Sequence, residues 1–309
     1  MALTRVLPFG DAAMGEAAAI IAAGGIVAVP TETVYGLAGD ATSDRAVAAI
    51  YTAKGRPSFN PLIVHVRDLD HACEIGVFDA DSTALAQRYW PGPLTLVVPL
   101  RSDAGLAAGA TAGLATVALR APLHRAMRAL LEATGKPLAA PSANASGGIS
   151  PTRAEHVLRS LDKRIALVID DGATAGGIES TIVAVSDGQV RLLRPGPVVI
   201  DNAVRDRSTK TEAPGQLAAH YAPSKPLRIE ARAADPDEWH IGFGTIPGGV
   251  TLSATGDLAE AASRLFDLLH AADLNKHPRI AVAPVPHTGI GIAINDRLRR
   301  AAVGSGGRA

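Results

Sequence analysis

The stretch AIYTAKGRPSFNPLIVHV, residues 49–66, contains the pattern from which we predict the fold class. It continues a helical pattern that Ser43 can cap and that ends near Lys54. A Gly-Arg-Pro segment then breaks the helix, and residues 62–66 form a short apolar run typical of a buried strand. A helix that leads directly into a buried strand indicates a layered α/β fold.

The same alternation continues through the first two hundred residues. Further strands are predicted at 26–29, from 94, and at 116–120, 138–140, 166–169, 181–185 and 190–193, and further helices at 14–23, 79–89 and 123–132. Many of these strands have only four or five residues, and several follow each other as closely as hairpins do. The pattern therefore favours a mixed sheet over an all-parallel one.

The composition of the sequence changes after Arg194-Pro195-Gly196. The segment APGQLAAHYAPSKP, residues 213–226, contains three prolines and has the composition of a linker. A second α/β pattern follows, with a helix at 257–271, a strand at 280–283 and a helix at 294–302. We predict a first α/β domain over 1–200, a linker over 201–226, and a small α/β domain over 227–309.

Composition excludes several classes of protein. With 47% hydrophobic and 19% charged residues, the chain is globular rather than disordered. Thirty basic residues balance thirty acidic ones, so no overall field attracts nucleic acid or an anionic membrane. The single cysteine, Cys73, leaves no disulfide framework or cysteine-rich zinc site, and we predict that it is buried. Because no signal peptide or membrane span is evident, the predicted location is cytoplasmic.

The common phosphate-binding and hydrolase motifs are missing. The sequence has no G-x-x-x-x-G-K-[ST] loop, no H-E-x-x-H and no nucleophile elbow, and GFGTIPGG at 242–249 has the wrong spacing for G-x-G-x-x-G. A nucleotide would therefore have to be held by side chains and short Ser/Thr loops.

Several such loops follow predicted strands. They are VPTETVYGL with Thr31, Glu32 and Thr33, TVALRAP with Thr116 and Arg120, APSANASGGISPT with Ser142, Asn144, Ser146 and Ser150, GGIESTIV with Ser180 and Thr181, and LLRPG with Arg194. Taken singly, each has an ordinary structural interpretation, such as a helix cap for the hydroxyls, and His65 could be a satisfied buried histidine. Lys54 and Arg56 could simply complement a helix C-terminus. Their recurrence at strand ends favours an anionic ligand rich in hydrogen-bonding groups.

The ordered set of motifs closely resembles the YrdC-like family of threonylcarbamoyl-AMP synthases. The matching segments are PTETVYGL (30–37), KGRPSFNPLIVHV (54–66), WPGPLTLV (90–97), APSANASGGISPT (140–152), GGIESTIV (176–183) and LLRPG (192–196). PGQLAAHYAP (214–223) and the downstream α/β unit resemble the long, two-domain form of the family. The resemblance covers essentially the whole chain. It implies a twisted, mixed, open sheet with flanking helices, and a smaller Rossmann-like C-terminal domain.

The resemblance also implies a reaction. The family makes L-threonylcarbamoyladenylate and pyrophosphate from L-threonine, bicarbonate and ATP, and so acts as a nucleotidyltransferase. Mg²⁺ is expected with ATP, and no protein carboxylate stands out as its ligand. The product feeds a separate tRNA-modifying transferase complex, which modifies the adenosine beside the anticodon.

Roles for individual residues follow from the matching motifs. The resemblance implies a catalytic role for Lys54 and Arg56. It places L-threonine on Thr33, His65, Arg120 and Ser180, with Arg120 as the clamp for the carboxylate. It places ATP on Arg56, Asn60, Thr116, the backbone of Ala140, Ser142, Ser150, Arg194 and Tyr221, the last of these acting as a lid.

One departure and two alternatives stay open at this point. The family's linker usually carries an aromatic or basic residue where this chain has Leu217-Ala218-Ala219, which puts the lid contacts in doubt. The first alternative is a double-stranded-RNA or ribosome-binding module, although the zero net charge counts against it. For the synthase itself, the expected contact with tRNA or double-stranded RNA is weak. The second is a carbamoyl-adenylate-forming enzyme, whose relatives carry zinc fingers that one cysteine cannot supply. The sequence leaves open the oligomeric state and the role of the C-terminal domain.

Overall fold

The computed structural model describes residues 3–186, 188–201, 203–205, 212–214 and 219–306. Within them the chain forms a large mixed sheet and a small parallel sheet, both packed against helices. The predicted fold class is confirmed.

Eleven strands of the described chain form the large sheet. They are β1 (Arg5–Pro8), β2 (Val27–Pro30), β3 (Tyr35–Asp40), β4 (Ile63–His65), β5 (Leu94–Pro99), β6 (Thr116–Arg120), β7 (Leu138–Ala139), β8 (Leu167–Asp170), β9 (Thr181–Ser186), β10 (Gln189–Arg194) and β11 (Val204–Arg205). Their order across the sheet is β1-β8-β2-β3-β7-β4-β6-β5-β9-β10-β11. β4 and β6 are parallel, whereas β5 and β6 are antiparallel, so the sheet is mixed as predicted.

The helices of this part are α1 (Asp11–Ala22), α2 (Asp44–Lys54), α3 (Leu69–Cys73), α4 (Ala80–Tyr89), α5 (Ala108–Thr111), α6 (Arg125–Thr134) and α7 (Ala154–Leu161). The predicted helix in the opening stretch is confirmed. The hydroxyl of Ser43 accepts the backbone N–H of Ala46, and α2 ends at Gly55, whose φ of +59° lies in the left-handed region that glycine tolerates.

The small sheet consists of β12 (Leu227–Arg228), β13 (Glu238–Gly242), β14 (Val250–Thr251) and β15 (Arg279–Val282), with helices α8 (Leu258–Leu274) and α9 (Gly291–Gly304). Its strands run parallel in the order β12-β15-β13-β14. We call residues 227–306 the C-terminal unit. The predicted division at 200 and 226 stays a prediction, because part of the intervening segment lies outside the described residues.

The C-terminal unit packs directly against the part of the chain that forms the large sheet, which we call the catalytic part. Tyr221, Val34 and Ile178 share one buried apolar cluster with Phe266 of α8 and other side chains of the C-terminal unit. This shared cluster fixes α8 and α9 close to the loops that follow β2 and precede β9.

Three local expectations need correction. Cys73 is exposed at the end of α3, so the prediction that it is buried is wrong. α6 begins at Arg125 rather than Leu123, because the Nδ1 atom of His124 accepts the N–H of Ala126 and caps the helix there. β3 was not predicted from its sequence, since YGLAGD has neither strong β propensity nor alternation. Among the described helices, none is long and apolar enough to cross a membrane.

Candidate active site

A cleft lies on one face of the large sheet and reaches the linker. Of the thirteen residues predicted from the sequence, nine line the cleft: Thr33, Arg56, His65, Arg120, Ala140, Ser142, Ser180, Arg194 and Tyr221. Residues spread over nearly 190 positions of sequence therefore meet at one place.

The register of β4 and β6 brings two predicted threonine-binding side chains together. His65 pairs with Arg120 in parallel register, and Ile63 pairs with Ala118 two residues earlier. Directly paired residues of neighbouring strands project from the same face of a sheet. The imidazole and the guanidinium therefore enter the cleft side by side.

The Arg120 guanidinium is held by three groups of the protein. Its Nη2 lies 2.5 Å from Oε1 of Glu32, its Nη1 donates to Oγ1 of Thr33 at 3.1 Å, and its Nε donates to the carbonyl of Gly92 at 3.2 Å. These bonds use three of the five N–H donors of an arginine, so donors remain for a ligand. The planar fork is thus oriented before any ligand binds.

His65 is neutral in this setting. Burial lowers its pKa to about 3, and the charge of Arg120 acts in the same direction. The Nδ1 atom is buried and has no hydrogen-bond partner among the described residues. A buried ring nitrogen without a partner costs free energy unless a ligand satisfies it, which favours a ligand-binding role for His65 over that of a satisfied core histidine.

Two further arginines supply positive charge to the cleft. Arg56 donates from Nε to the carbonyl of Asn60 at 3.0 Å and from Nη2 to that of Pro61 at 2.7 Å. Arg194 donates from Nε and Nη2 to the backbone and hydroxyl oxygens of Ser180, both at 3.1 Å. Burial lowers the pKa of each arginine to about 10, so both remain cations at neutral pH. Neither has a carboxylate directly bonded to it among the described contacts, which suits them to an anionic ligand.

Four predicted residues do not line the cleft. The buried side-chain amine of Lys54, whose pKa burial and the charge of Arg56 lower well below the ordinary value, donates to the carbonyls of Ser142 and Asn144, the second at 2.5 Å, and so holds the loop after β7 in place. Asn60 is buried, and its Oδ1 has no partner within the described chain. Ser150 does not line the cleft itself but contacts a residue that does, since its hydroxyl donates to Oε1 of Glu179 at 2.5 Å.

Thr116, the fourth, lies at the start of β6, four residues before Arg120. At roughly 3.3 Å per residue the two are about 13 Å apart along the strand, although they share one face. Its predicted contact with ATP stays a prediction, as do the roles of all thirteen residues.

Tyr221 closes one side of the cleft. Its ring stacks on Phe266 with centroids 5.5 Å apart, and the guanidinium of Arg297 lies 5.3 Å from its centroid. The side chain is buried, and its hydroxyl has no partner among the described residues. In this conformation the predicted lid residue is packed down. The departure at Leu217-Ala218-Ala219 cannot be related to these contacts, because Leu217 and Ala218 lie outside the described residues.

Sequence reasoning missed two lining residues with titratable groups. Glu179 precedes Ser180 in GGIESTIV, and His220 precedes Tyr221 in the linker. Their position within the quoted motifs was the available signal. Burial lowers the pKa of His220 to about 3.

The described residues do not form a metal site of their own. They contain no group of three or more His, Cys, Asp or Glu side chains placed to hold an ion. The carboxylates nearest the cleft, Glu32 and Glu179, are each paired with an arginine. This donor set does not fit a protein-bound Mg²⁺.

Comparisons with known proteins agree with this geometry. The family model Sua5_yciO_yrdC, described as "Telomere recombination", matches residues 19–196, and the model described as "Threonylcarbamoyl-AMP synthase, C-terminal domain" matches residues 177–303. The threonylcarbamoyl-AMP synthase of Bacillus subtilis (strain 168) is 39% identical over 98% of this chain and 96% of its own length. The threonylcarbamoyl-AMP synthase of Pyrococcus abyssi is 38% identical, with 92% of each chain covered. The crystal structure of P. abyssi Sua5 complexed with L-threonine superposes with a TM-score of 0.89, at 33% identity and 98% coverage of both chains.

Fold and cleft together define an α/β protein whose cleft is lined by arginines, hydroxyls and a neutral histidine. The chain belongs to the threonylcarbamoyl-AMP synthase family. The resemblance stated from the sequence is thereby confirmed, and with it the enzyme class, an ATP-dependent, adenylate-forming transferase.

Proposed function

We propose that this chain converts L-threonine, bicarbonate and ATP into L-threonylcarbamoyladenylate and pyrophosphate. One observation carries the proposal: Arg120 and His65 share a cleft with Arg56 and Arg194. One cleft therefore offers a fork for a carboxylate beside two cations for phosphates.

L-Threonine is placed at the Arg120 end. The unused donors of Arg120 bind its carboxylate, while the hydroxyls of Thr33 and Ser180 and the neutral ring of His65 lie within the same cleft. A neutral His65 matters here because an imidazolium would repel a protonated threonine amine, whereas a neutral ring nitrogen can accept its hydrogen bond. The ligand satisfies the free Nδ1 of His65.

ATP is placed toward Arg56 and Arg194. Arg56 faces the triphosphate from the loop before β4, and Arg194 faces it from the end of β10. Ala140 and Ser142 supply backbone and hydroxyl groups from the loop after β7, which Lys54 braces. Lys54 thus acts on ATP through that loop.

The chemistry needs no covalent nucleophile from the protein. The threonine amine and bicarbonate condense to a carbamate with loss of water, and a carbamate oxygen attacks the α-phosphorus of ATP while pyrophosphate leaves. Holding the two anions in line can supply roughly 7–11 kcal/mol of the barrier. Arg56 and Arg194 stabilise charge that develops on the leaving group.

Mg²⁺ is expected to arrive with ATP, bound by phosphate oxygens and water rather than by a protein carboxylate. We assign no step to it. We further propose that the product passes to a downstream tRNA-modifying transferase complex, and that any contact of this chain with tRNA is weak, since its formal net charge is zero.

Pyrophosphate release by the purified full-length chain tests the proposal. Release should require ATP, L-threonine and bicarbonate together. Equal release when carbamoyl phosphate replaces threonine and bicarbonate would contradict it and favour a carbamoyl-transferring enzyme instead.

A further inference from the structure

Arg297, on α9 of the C-terminal unit, reaches the wall of the cleft. Its side chain is fully buried. Its Nε lies 3.0 Å from Oε2 of Glu179, and its Nη1 donates at 2.8 Å to the carbonyl of Pro195. Both partners belong to the catalytic part, and Pro195 directly follows Arg194. A residue of the C-terminal unit therefore contacts the segment that carries a phosphate-facing arginine.

Glu179 links Arg297 to the nucleotide side of the cleft. Its other carboxylate oxygen, Oε1, accepts the hydroxyl of Ser150 at 2.5 Å. Burial raises the pKa of Glu179, but the charges of Arg297 and Arg194 outweigh burial, so its pKa lies below the ordinary value. A buried carboxylate is thus kept ionised at the edge of a site for anions, with Arg297 as its direct charge partner.

If Arg297 is lost, the unpaired carboxylate of Glu179 can weaken ATP binding in two ways. It would repel a triphosphate in the cleft, or it would attract Arg194 away from that triphosphate. Arg297, which does not itself line the cleft, prevents both by neutralising Glu179. The same guanidinium covers the ring of Tyr221 at 5.3 Å, which holds the linker residue against the site.

We propose that Arg297 is a positioning residue for ATP, and that the C-terminal unit completes the active site through it. The inference rests on the proposed function for the identity of the nucleotide. It assigns the C-terminal unit a part in substrate binding, which the sequence left open.

Four full-length variants test this: Arg297→Met, Arg297→Lys, Glu179→Gln and the double variant Glu179→Gln/Arg297→Met. Arg297→Met should raise the KM for ATP about tenfold, in the range of typical coupling between sites, with little change in that for threonine. Arg297→Lys should fall between this variant and the wild type. The double variant should recover most of the ATP affinity, because the Glu179 carboxylate is gone and Asp296, the other carboxylate that Arg297 contacts, at 3.0 Å, still pairs with Arg300 at 3.4 Å.

Asp267→Asn is the matched control. Asp267 of α8 pairs with Arg153 of the catalytic part at 2.8 Å, away from the cleft. Its loss breaks an ion pair between the same two parts of the chain. If Arg297 only holds these two parts together, Arg297→Met and Asp267→Asn should have the same kinetics. Urea unfolding should show that Asp267→Asn and the double variant are folded.

Two results would overturn the inference. In the first, Arg297→Met lowers only stability or kcat, and Asp267→Asn has the same effect. In the second, the double variant binds ATP no better than Arg297→Met. Should Arg297→Met not fold, the affinity of the double variant relative to Glu179→Gln decides: near-equality supports the proposal and a tenfold loss contradicts it. Calorimetry with a non-hydrolysable ATP analogue gives these affinities without turnover. If the wild type binds ATP but releases no pyrophosphate, the proposed function is contradicted, whereas the inference about Arg297 is not.

Discussion

Glu32 and Arg120 form a buried ion pair beside the cleft, with 2.5 Å between Oε1 and Nη2. The second oxygen of Glu32 accepts the backbone N–H groups of Leu123 and His124 at 3.1 and 3.3 Å. The carboxylate is therefore anchored to the start of α6 and fixes the plane of the guanidinium. A ligand carboxylate meets a fork whose orientation is already set, which lowers the entropy lost on binding.

Arg120→Lys should weaken L-threonine binding far more than ATP binding. An ammonium cannot reproduce the planar fork that bonds Glu32, Thr33 and Gly92 together, and losing a charge-assisted bond in a buried site costs about 1.5–3 kcal/mol. Calorimetric titration with threonine measures the change. Arg125→Lys, at an exposed pair with Asp171, is the control. Unchanged threonine affinity in folded Arg120→Lys would remove Arg120 from the site.

Arg56→Ala and His65→Ala should separate the two substrates. Arg56→Ala should raise the KM for ATP and lower kcat, because charge grows on pyrophosphate in the transition state. His65→Ala should act mainly through threonine, since its free Nδ1 lies at the Arg120 end. Steady-state kinetics with each substrate varied in turn checks this. The same kinetic profile for both variants would show that the cleft is not divided as proposed.

Lys54→Met should destabilise the fold and weaken ATP binding together. The side-chain amine of Lys54 donates to the carbonyls of Ser142 and Asn144; without it the Asn144 carbonyl loses this donor, whereas that of Ser142 still accepts the N–H of Asn144 at 3.0 Å. An unsatisfied buried carbonyl costs about 1–3 kcal/mol. Urea unfolding and the KM for ATP are the measurements, with exposed Lys136→Met as the control. Lost ATP binding at full stability would instead place Lys54 on the nucleotide.

The stacked pair of His156 and His270 should make stability depend on pH below neutrality. The ring centroids lie 3.9 Å apart, joining α7 to α8, and burial lowers the pKa of His156 to about 3 and that of His270 to about 4. Both pKa values lie below the ordinary 6.5, so each ring contributes stability above pH 6.5 that is lost as the pH falls. The charged groups around the pair are Arg153, Glu155, Arg159, Asp267 and Asp273.

His270→Phe keeps the stacking but cannot titrate, so it should lose less stability than the wild type between pH 7 and pH 5. The difference should be about 2 kcal/mol, from 1.36 kcal/mol for each pH unit below 6.5. Urea unfolding at the two pH values gives it, with the exposed His287→Phe as control. Equal losses in wild type and His270→Phe would show that the pair does not govern the acid response.

The opening stretch shows how far local sequence reaches. A serine cap, an apolar helical face and a Gly-Arg-Pro break lie within 25 residues of each other, so their signals predicted α2 and β4 within one residue. The same holds for β6, predicted at the residues it occupies. β3 escaped prediction because its stability comes from neighbours: it pairs with β2 on one side and β7 on the other.

Sequence alone was enough for the fold class, the family and nine of the residues that line the cleft, because each depends on local patterns and ordered motifs. Only the tertiary structure decided which acceptor each cation meets. The Lys54 ammonium can reach a phosphate or a carbonyl equally well on its flexible stem, and packing of the loop after β7 placed two carbonyls there. Likewise, Arg297 and Glu179 are 118 residues apart and belong to no common motif. A buried charge pair is a property of two surfaces brought together, so its partners cannot be read from either segment alone.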